Sequence, residues 1–190
     1  MNINENKLII EDYLNIDYEM ANKLLIERLD IDILEINNSE INLDTISNII
    51  DNTSIKTLIL NNSEILHENN NLINIDHLVI NNVTCNNFEV FMKFTSITKL
   101  TISNTTKEFN CYYLRILNNL GELSLINVSA IHLSSLGYLK KLSHLHLTNV
   151  PINNWMFTTK LLNLKTLYLF DDYDLSEIPR LLFEIKKDNN

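Results

Sequence analysis

Residues 120–128 read LGELSLINV and residues 142–150 read LSHLHLTNV. Both strings put Leu at the first, fourth and sixth positions (Leu120, Leu123, Leu125; Leu142, Leu145, Leu147), Asn at the eighth and Val at the ninth. Outward from this pair, the same apolar spacing recurs as Ile31, Leu34, Ile36; Ile55, Leu58, Leu60; Ile75, Leu78, Ile80; Ile97, Leu100, Ile102; and Leu164, Leu167, Leu169. The seven copies start about 24, 20, 22, 23, 22 and 22 residues apart. A unit of that length cannot close a core by itself, so each copy must bury its apolar edge on its neighbours. One copy would be weak evidence of a repeat; seven in phase are strong.

Each copy alternates over five residues, as a short strand does: Leu58 and Leu60 point inward, while Thr57, Ile59 and Asn61 point out. Cys85 stands in the column of Ile41, Ile65 and Ile152, as a small buried hydrophobe. The intervening segments vary. Residues 44–51 (DTISNIID) read as a short helix opened by Asp44; residues 87–94 and 108–117 also read as helical, and residues 66–74 as irregular. Leu133, Leu136, Leu139 and Leu142 are spaced by three, which suits 3-10 helix or tight turns. At the start, Leu8 and Ile10 suit an edge strand, and Met20, Leu24, Leu25 and Leu29 have helical spacing after Asp17. Residues 175–190 read as a closing turn and short helix, with Pro179 in its first turn.

The chain resembles the leucine-rich repeat proteins: all seven copies match the apolar positions of the family pattern LxxLxLxxN/CxL. The resemblance implies an α/β fold. It is a curved right-handed solenoid with a parallel β-sheet on the concave face and short helices, 3-10 turns or loops on the convex face. It also implies one domain over residues 1–190, with an N-terminal cap (1–30), seven repeats (31–175) and a C-terminal cap (176–190). One feature departs from the family. The inward Asn or Cys belongs at the ninth position, but Ser39, Ser63, Val83, Thr105, Val128, Val150 and Tyr173 stand there, and Asn38, Asn62, Asn82, Asn104, Asn127, Asn149 and Asp172 occupy the eighth. Either the eighth Asn turns inward as a shifted ladder, or the ninth residue is core and the eighth makes a local Asx turn. Val at the ninth position and an apolar residue at the eleventh favour the second. Lys107 and Asp174 interrupt the eleventh column, so repeats four and seven should be irregular.

Composition narrows the function. The chain is 45% hydrophobic and 21% charged, with two Gly and two Pro, so no flexible linker divides it. Its richness in Asn and Ile is what an AT-rich genome produces, and the Asn residues sit at turns between regular Leu positions rather than in a polar tract. A net charge of −9 without a basic stripe argues against nucleic acid or an anionic membrane as partner. The start shows no basic segment followed by an apolar one, and no apolar run reaches the roughly 18 residues of a membrane span. Cys85 and Cys111 lie on different repeats without CxxC spacing, as reduced thiols of an intracellular protein do.

No GxGxxG, Walker, HExxH or GxSxG motif is present. His144 and His146, two apart on one strand, would reach zinc only with a third ligand such as Glu122, and two exposed imidazoles on a sheet is the commoner meaning of such a pair. The concave face offers more. Its outward columns are Ile33, Thr57, His77, Lys99, Glu122, His144, Thr166; Glu35, Ile59, Val79, Thr101, Ser124, His146, Tyr168; and Asn37, Asn61, Asn81, Ser103, Ile126, Thr148, Phe170. The C-terminal group Ser124, Ile126, His144, His146, Tyr168 and Phe170 joins aromatics to an aliphatic, the material of an interface hot spot. Packing of Tyr168 and Phe170 under the C-terminal cap is the plainer alternative.

The expectation is a monomeric, cytoplasmic, non-enzymatic module without cofactor or metal that binds a protein on its concave sheet. The alternative is a substrate-receptor or regulatory subunit of a larger enzyme complex, including one that a pathogen or virus directs at its host. Leu123→Ala should lower stability by roughly 2–5 kcal/mol, through lost burial plus a cavity. Denaturant melts check this, and a loss under about 1 kcal/mol would remove Leu123 from the core.

Overall fold

Seven pairs of inward Leu or Ile residues pull seven strands against a common interior. In the computed structural model, residues 2–4, 6–12, 31–67, 71–85, 88–171, 173–179 and 183–187 are described. The repeat strands are Ile33–Asn37, Thr57–Asn61, His77–Asn81, Lys99–Ser103, Glu122–Ile126, His144–Thr148 and Thr166–Leu169. They pair in parallel, in chain order and without register shift: Leu34, Leu58, Leu78, Leu100, Leu123, Leu145 and Leu167 form one continuous row. Each of these seven leucines is fully buried. Lys7–Glu11 adds a parallel strand at the start, with Leu8 and Ile10 buried, and Asn2–Asn4 pairs antiparallel outside it. The helix read from Asp17 falls outside the described residues.

The second wall of the core comes from the return segments. Leu43–Asp51 is an α-helix that buries Leu43, Ile46, Ile49 and Ile50. Asn42, not Asp44, is its N-cap: the Asn42 carboxamide oxygen accepts from the Asp44 N–H at 2.9 Å. The helix thus begins one residue earlier, on a core leucine, and Asp44 lies in the first turn where its charge suits the helix dipole. Later coils replace the α-helix with six-residue 3-10 helices, Phe88–Lys93, Cys111–Ile116, Leu133–Tyr138 and Trp155–Lys160. Gly137 lets the last two meet: a Cβ there would lie 2.7 Å from Lys160 Cβ.

Three expectations change. In repeat four the helical reading of 108–117 yields to a strand, Phe109–Asn110, before the 3-10 helix. Lys107 is exposed there, and buried Phe109, two residues on, takes the eleventh-column place by pairing with Ala130. In the irregular stretch 66–74, the strand Glu64–His67 runs into the first two residues. At the C-terminus Leu175–Glu177 forms a 3-10 turn, but Glu184–Lys187 is a further parallel strand on Thr166–Leu169, not part of a helix, and Pro179 follows the turn. The open strand edge explains that outcome, because its donors and acceptors need a partner and the Glu184 N–H finds the Lys165 carbonyl at 2.8 Å.

The asparagine column combines two behaviours. The ninth residue does turn inward: Ser39, Ser63, Val83, Val128 and Val150 are buried. The eighth, from Asn38 to Asn149, adopts left-handed backbone with φ of 48–54° in all six copies. Its side chain does not close a local turn but reaches the neighbouring coil. Asn82 Nδ2 donates to Asn62 at 3.0 Å, Asn127 to Asn104 at 2.6 Å and Asn149 to Asn127 at 3.1 Å. The ladder is at the surface, so its geometry, not burial, requires Asn.

The backbone N–H of each eighth Asn, up to Asn127, donates to the following coil at 2.8–3.0 Å. At the end of the series side chains supply the acceptors. An Asp171 carboxylate oxygen receives the Asn149 N–H, and the Tyr173 hydroxyl accepts from the Val150 N–H at 3.0 Å and donates to its carbonyl at 3.1 Å. Tyr173→Phe would leave both Val150 groups unpaired. It should lower stability by about 1–3 kcal/mol in denaturant melts with the fold retained by circular dichroism, and an unchanged midpoint would refute this capping role.

Candidate functional site

The register fixes which side chains stand together on the concave face. Across the last four strands Glu122 lies beside His144, and Ser124 beside His146; His146 lies beside Tyr168, and Tyr168 beside Lys186. The His146 and Tyr168 rings stack, with centroids 4.1 Å apart and planes at 10°. Lys186 Nζ lies 5.5 Å from the Tyr168 centroid, so the C-terminal strand caps the aromatic pair with a cation. On the other side Glu122 holds Lys99 at 2.9 Å and faces His146 Nε2 at 3.7 Å. A pair of stacked rings flanked on both sides by charges thus runs across five strands.

The remaining sequence-predicted residues are placed unequally. Phe170 is 37% exposed just beyond its strand, and Ile126 is half-buried in the same outward column. Ser124 faces outward yet is only 9% exposed, a short side chain between Thr101 and His146. His144 is half-buried, its Nδ1 2.9 Å from Ser143 Oγ. Tyr168 lies on the concave face, with the C-terminal strand beside it in the sheet and that strand's Lys186 side chain reaching its ring.

The N-terminal half of this face has a different character, not visible from the residue list. Asn61 donates to Asn37 at 2.8 Å, Asn81 to Asn61 at 3.3 Å, and Ser103 to Asn81 at 3.0 Å. Glu35 accepts from Asn37 at 3.1 Å and pairs with Lys7. These polar groups satisfy one another, so a ligand docking there must compete with bonds already made.

Among the described residues, no three His, Cys, Asp or Glu side chains are grouped to hold a metal ion, and no helix is long and apolar enough to cross a membrane. Glu122 faces His146, whereas His144 turns its Nδ1 to Ser143 Oγ at 2.9 Å. Burial pushes the Cys111 thiol up to about 12, far from nucleophilic character at neutral pH. A second cluster escaped the strand-column reading because it stands on the convex return segments. Met92, Tyr112 and Tyr138 are 42%, 42% and 60% exposed, and Arg115 lies 3.8 Å above the Tyr112 ring. Met92 and Arg115 stand fifth in their 3-10 helices, Tyr112 second and Tyr138 sixth, so no shared spacing marked this cluster in the sequence.

Burial lowers the pKa of His77, with Lys99 adding to the effect and Glu122 opposing it; among the described residues the buried His77 Nε2 has no hydrogen-bond partner. Burial also lowers that of His146, where Glu122 raises it and Lys99 and His144 lower it. The folded chain therefore takes up these protons less readily than the unfolded chain, whose imidazoles titrate near 6.5. The neutral forms are favoured above that value, and stability is lost as pH falls below it toward the folded pKa values. His77→Gln should flatten the fall of the denaturant midpoint between about pH 7 and 5, measured against the wild-type chain. An equal slope in both proteins would contradict the burial effect.

No protein-family model matches the chain, and none of the curated proteins matches its sequence. Among solved structures it is similar to internalin C2 from Listeria monocytogenes, with 21% identity and a TM-score of 0.61 over 92% of this chain and 76% of that one. It is also similar to the internalin inlF of the same organism, with 18% identity and a TM-score of 0.44 over 84% of this chain and 50% of that one. With its parallel strand ladder, its inward leucine rows and the likeness to internalin C2, this chain has the fold of a leucine-rich repeat protein.

Proposed function

We propose that the chain is a non-enzymatic protein-interaction module that holds a partner on the C-terminal half of its concave face. The observation that carries this is the aromatic and charged row Glu122, His146, Tyr168 and Lys186, flanked by Ile126 and Phe170. Stacking holds the His146 and Tyr168 rings in place before any partner arrives. Little side-chain freedom then remains to be lost on association. Tyrosine and an exposed aromatic beside an aliphatic concentrate binding energy where the N-terminal amide ladder would dilute it. The fold supports the reading through rigidity: neighbouring strands present side chains at fixed spacing. An intracellular setting belongs to the same proposal, supported by the buried thiol of Cys111.

The test is affinity capture from cell lysate with wild type, a Tyr168→Ala, Phe170→Ala double variant and an Asn61→Ala, Asn81→Ala double variant, each checked for folding. A partner held by wild type and by the asparagine variant should be weakened at least about 30-fold by loss of the two aromatics. Equal retention by the aromatic variant would move the site off this patch.

A further inference from the structure

The convex face carries a groove of about 510 Å³ between the 3-10 helices of three successive coils. Met92, Tyr112, Ile116 and Tyr138 supply its apolar and aromatic walls, and Arg115 and Glu89 its charges. The lateral order follows from the coil repeat. The 3-10 helices end on Lys93, Ile116, Tyr138 and Lys160. The two central residues line the groove, and lysines stand at both ends of their row.

Arg115 is the informative residue. Its guanidinium carbon lies 3.8 Å from the centre of the Tyr112 ring, which in turn meets Tyr113 edge-on with centroids 5.8 Å apart. The ring contact restrains the guanidinium, and among the described residues no carboxylate forms an ion pair with it. A planar donor fork of this kind is suited to a carboxylate. Charge along the chain agrees. Residues 1–110 hold 17 of the 24 Asp and Glu, whereas eight of the 15 Lys and Arg lie in residues 111–190, so the acidity lies away from the coils that carry Arg115, Tyr138 and Lys160.

We propose that this groove is a second docking site, separate from the concave face, for a protein segment that carries a carboxylate beside an aromatic or long aliphatic side chain. The carboxylate pairs with Arg115, and the apolar neighbour lies between Met92 and Tyr138.

Nuclear magnetic resonance titration of the isotope-labelled full chain tests this with two blocked peptides, acetyl-Ala-Glu-Phe-Leu-amide and its Gln counterpart. The acidic peptide should shift the amides of Tyr112, Arg115 and Tyr138 saturably at about millimolar concentration, and the Gln peptide should bind at least about fivefold more weakly. Arg115→Met and Tyr138→Ser, both at exposed positions, should each reduce the affinity of the acidic peptide by a similar factor, while Phe170→Ala leaves it unchanged. Equal binding of the two peptides, indifference to Arg115→Met, shifts confined to concave residues, or no saturable shift would overturn the proposal. So would peptide-free shifts of these residues that grow with protein concentration, which would give the groove to a second copy of the chain.

Discussion

Everything in this molecule depends on how the chain leaves the sheet at the eighth residue of each coil. Six asparagines adopt left-handed backbone there. Few L-residues tolerate that conformation, and Asn is among them because its short polar side chain can be accommodated locally. The turn redirects the chain so that the ninth residue enters the interior rather than following the strand alternation outward. It also aims the eighth N–H along the solenoid axis at the next coil's carbonyl. One conformational choice therefore sets the coil's bend, its registration on the neighbour and the filling of its core.

A stack built this way has ends, and the two ends are closed differently. At the start the Lys7–Glu11 strand covers the first coil, and Asp12 receives the Asn38 side-chain amide at 3.2 Å, entering the ladder as a carboxylate. At the other end Asp171 and Tyr173 reproduce with side chains the acceptors a further coil would have offered, while Glu184–Lys187 covers the strand edge. This last strand is largely exposed and carries two lysines, a composition that opposes pairing with another sheet edge. Closure of the hydrogen-bond series also has a functional consequence, since the same strand places Lys186 against Tyr168.

The two faces divide polar and apolar work unevenly. On the concave side the N-terminal amides bond one another, and the aromatic groups gather toward the C-terminus. On the convex side the change from α-helix to 3-10 helix after the first coil brings successive return segments close together. Their outer residues then form a continuous surface, with Tyr112, Arg115 and Tyr138 at its centre. Both candidate surfaces lie in the half of the chain where acidic charge is sparse, and both use rings held by a neighbouring side chain.

Sequence by itself determined the repeat, the strand positions and the membership of every outward column, because a period of two within a strand and about 22 between coils leaves one consistent register. It also determined that Leu123 and its equivalents are core, and it favoured the ninth residue over the eighth as the one that turns inward. Only the tertiary structure decided what the eighth Asn does with its side chain, since its partner is a full coil away and local reading can propose only local bonds. The cap at Asn42 and the two-residue shift to Phe109 were settled by packing against the interior, which overrides local helix signals. The C-terminal strand was settled by an open sheet edge that no residue within 183–187 reveals. The convex groove was likewise beyond reach, because it exists only where three segments separated by whole coils are laid side by side. Periodicity is a property of one chain segment after another and can be read along the sequence; contact between coils is a property of their stacking.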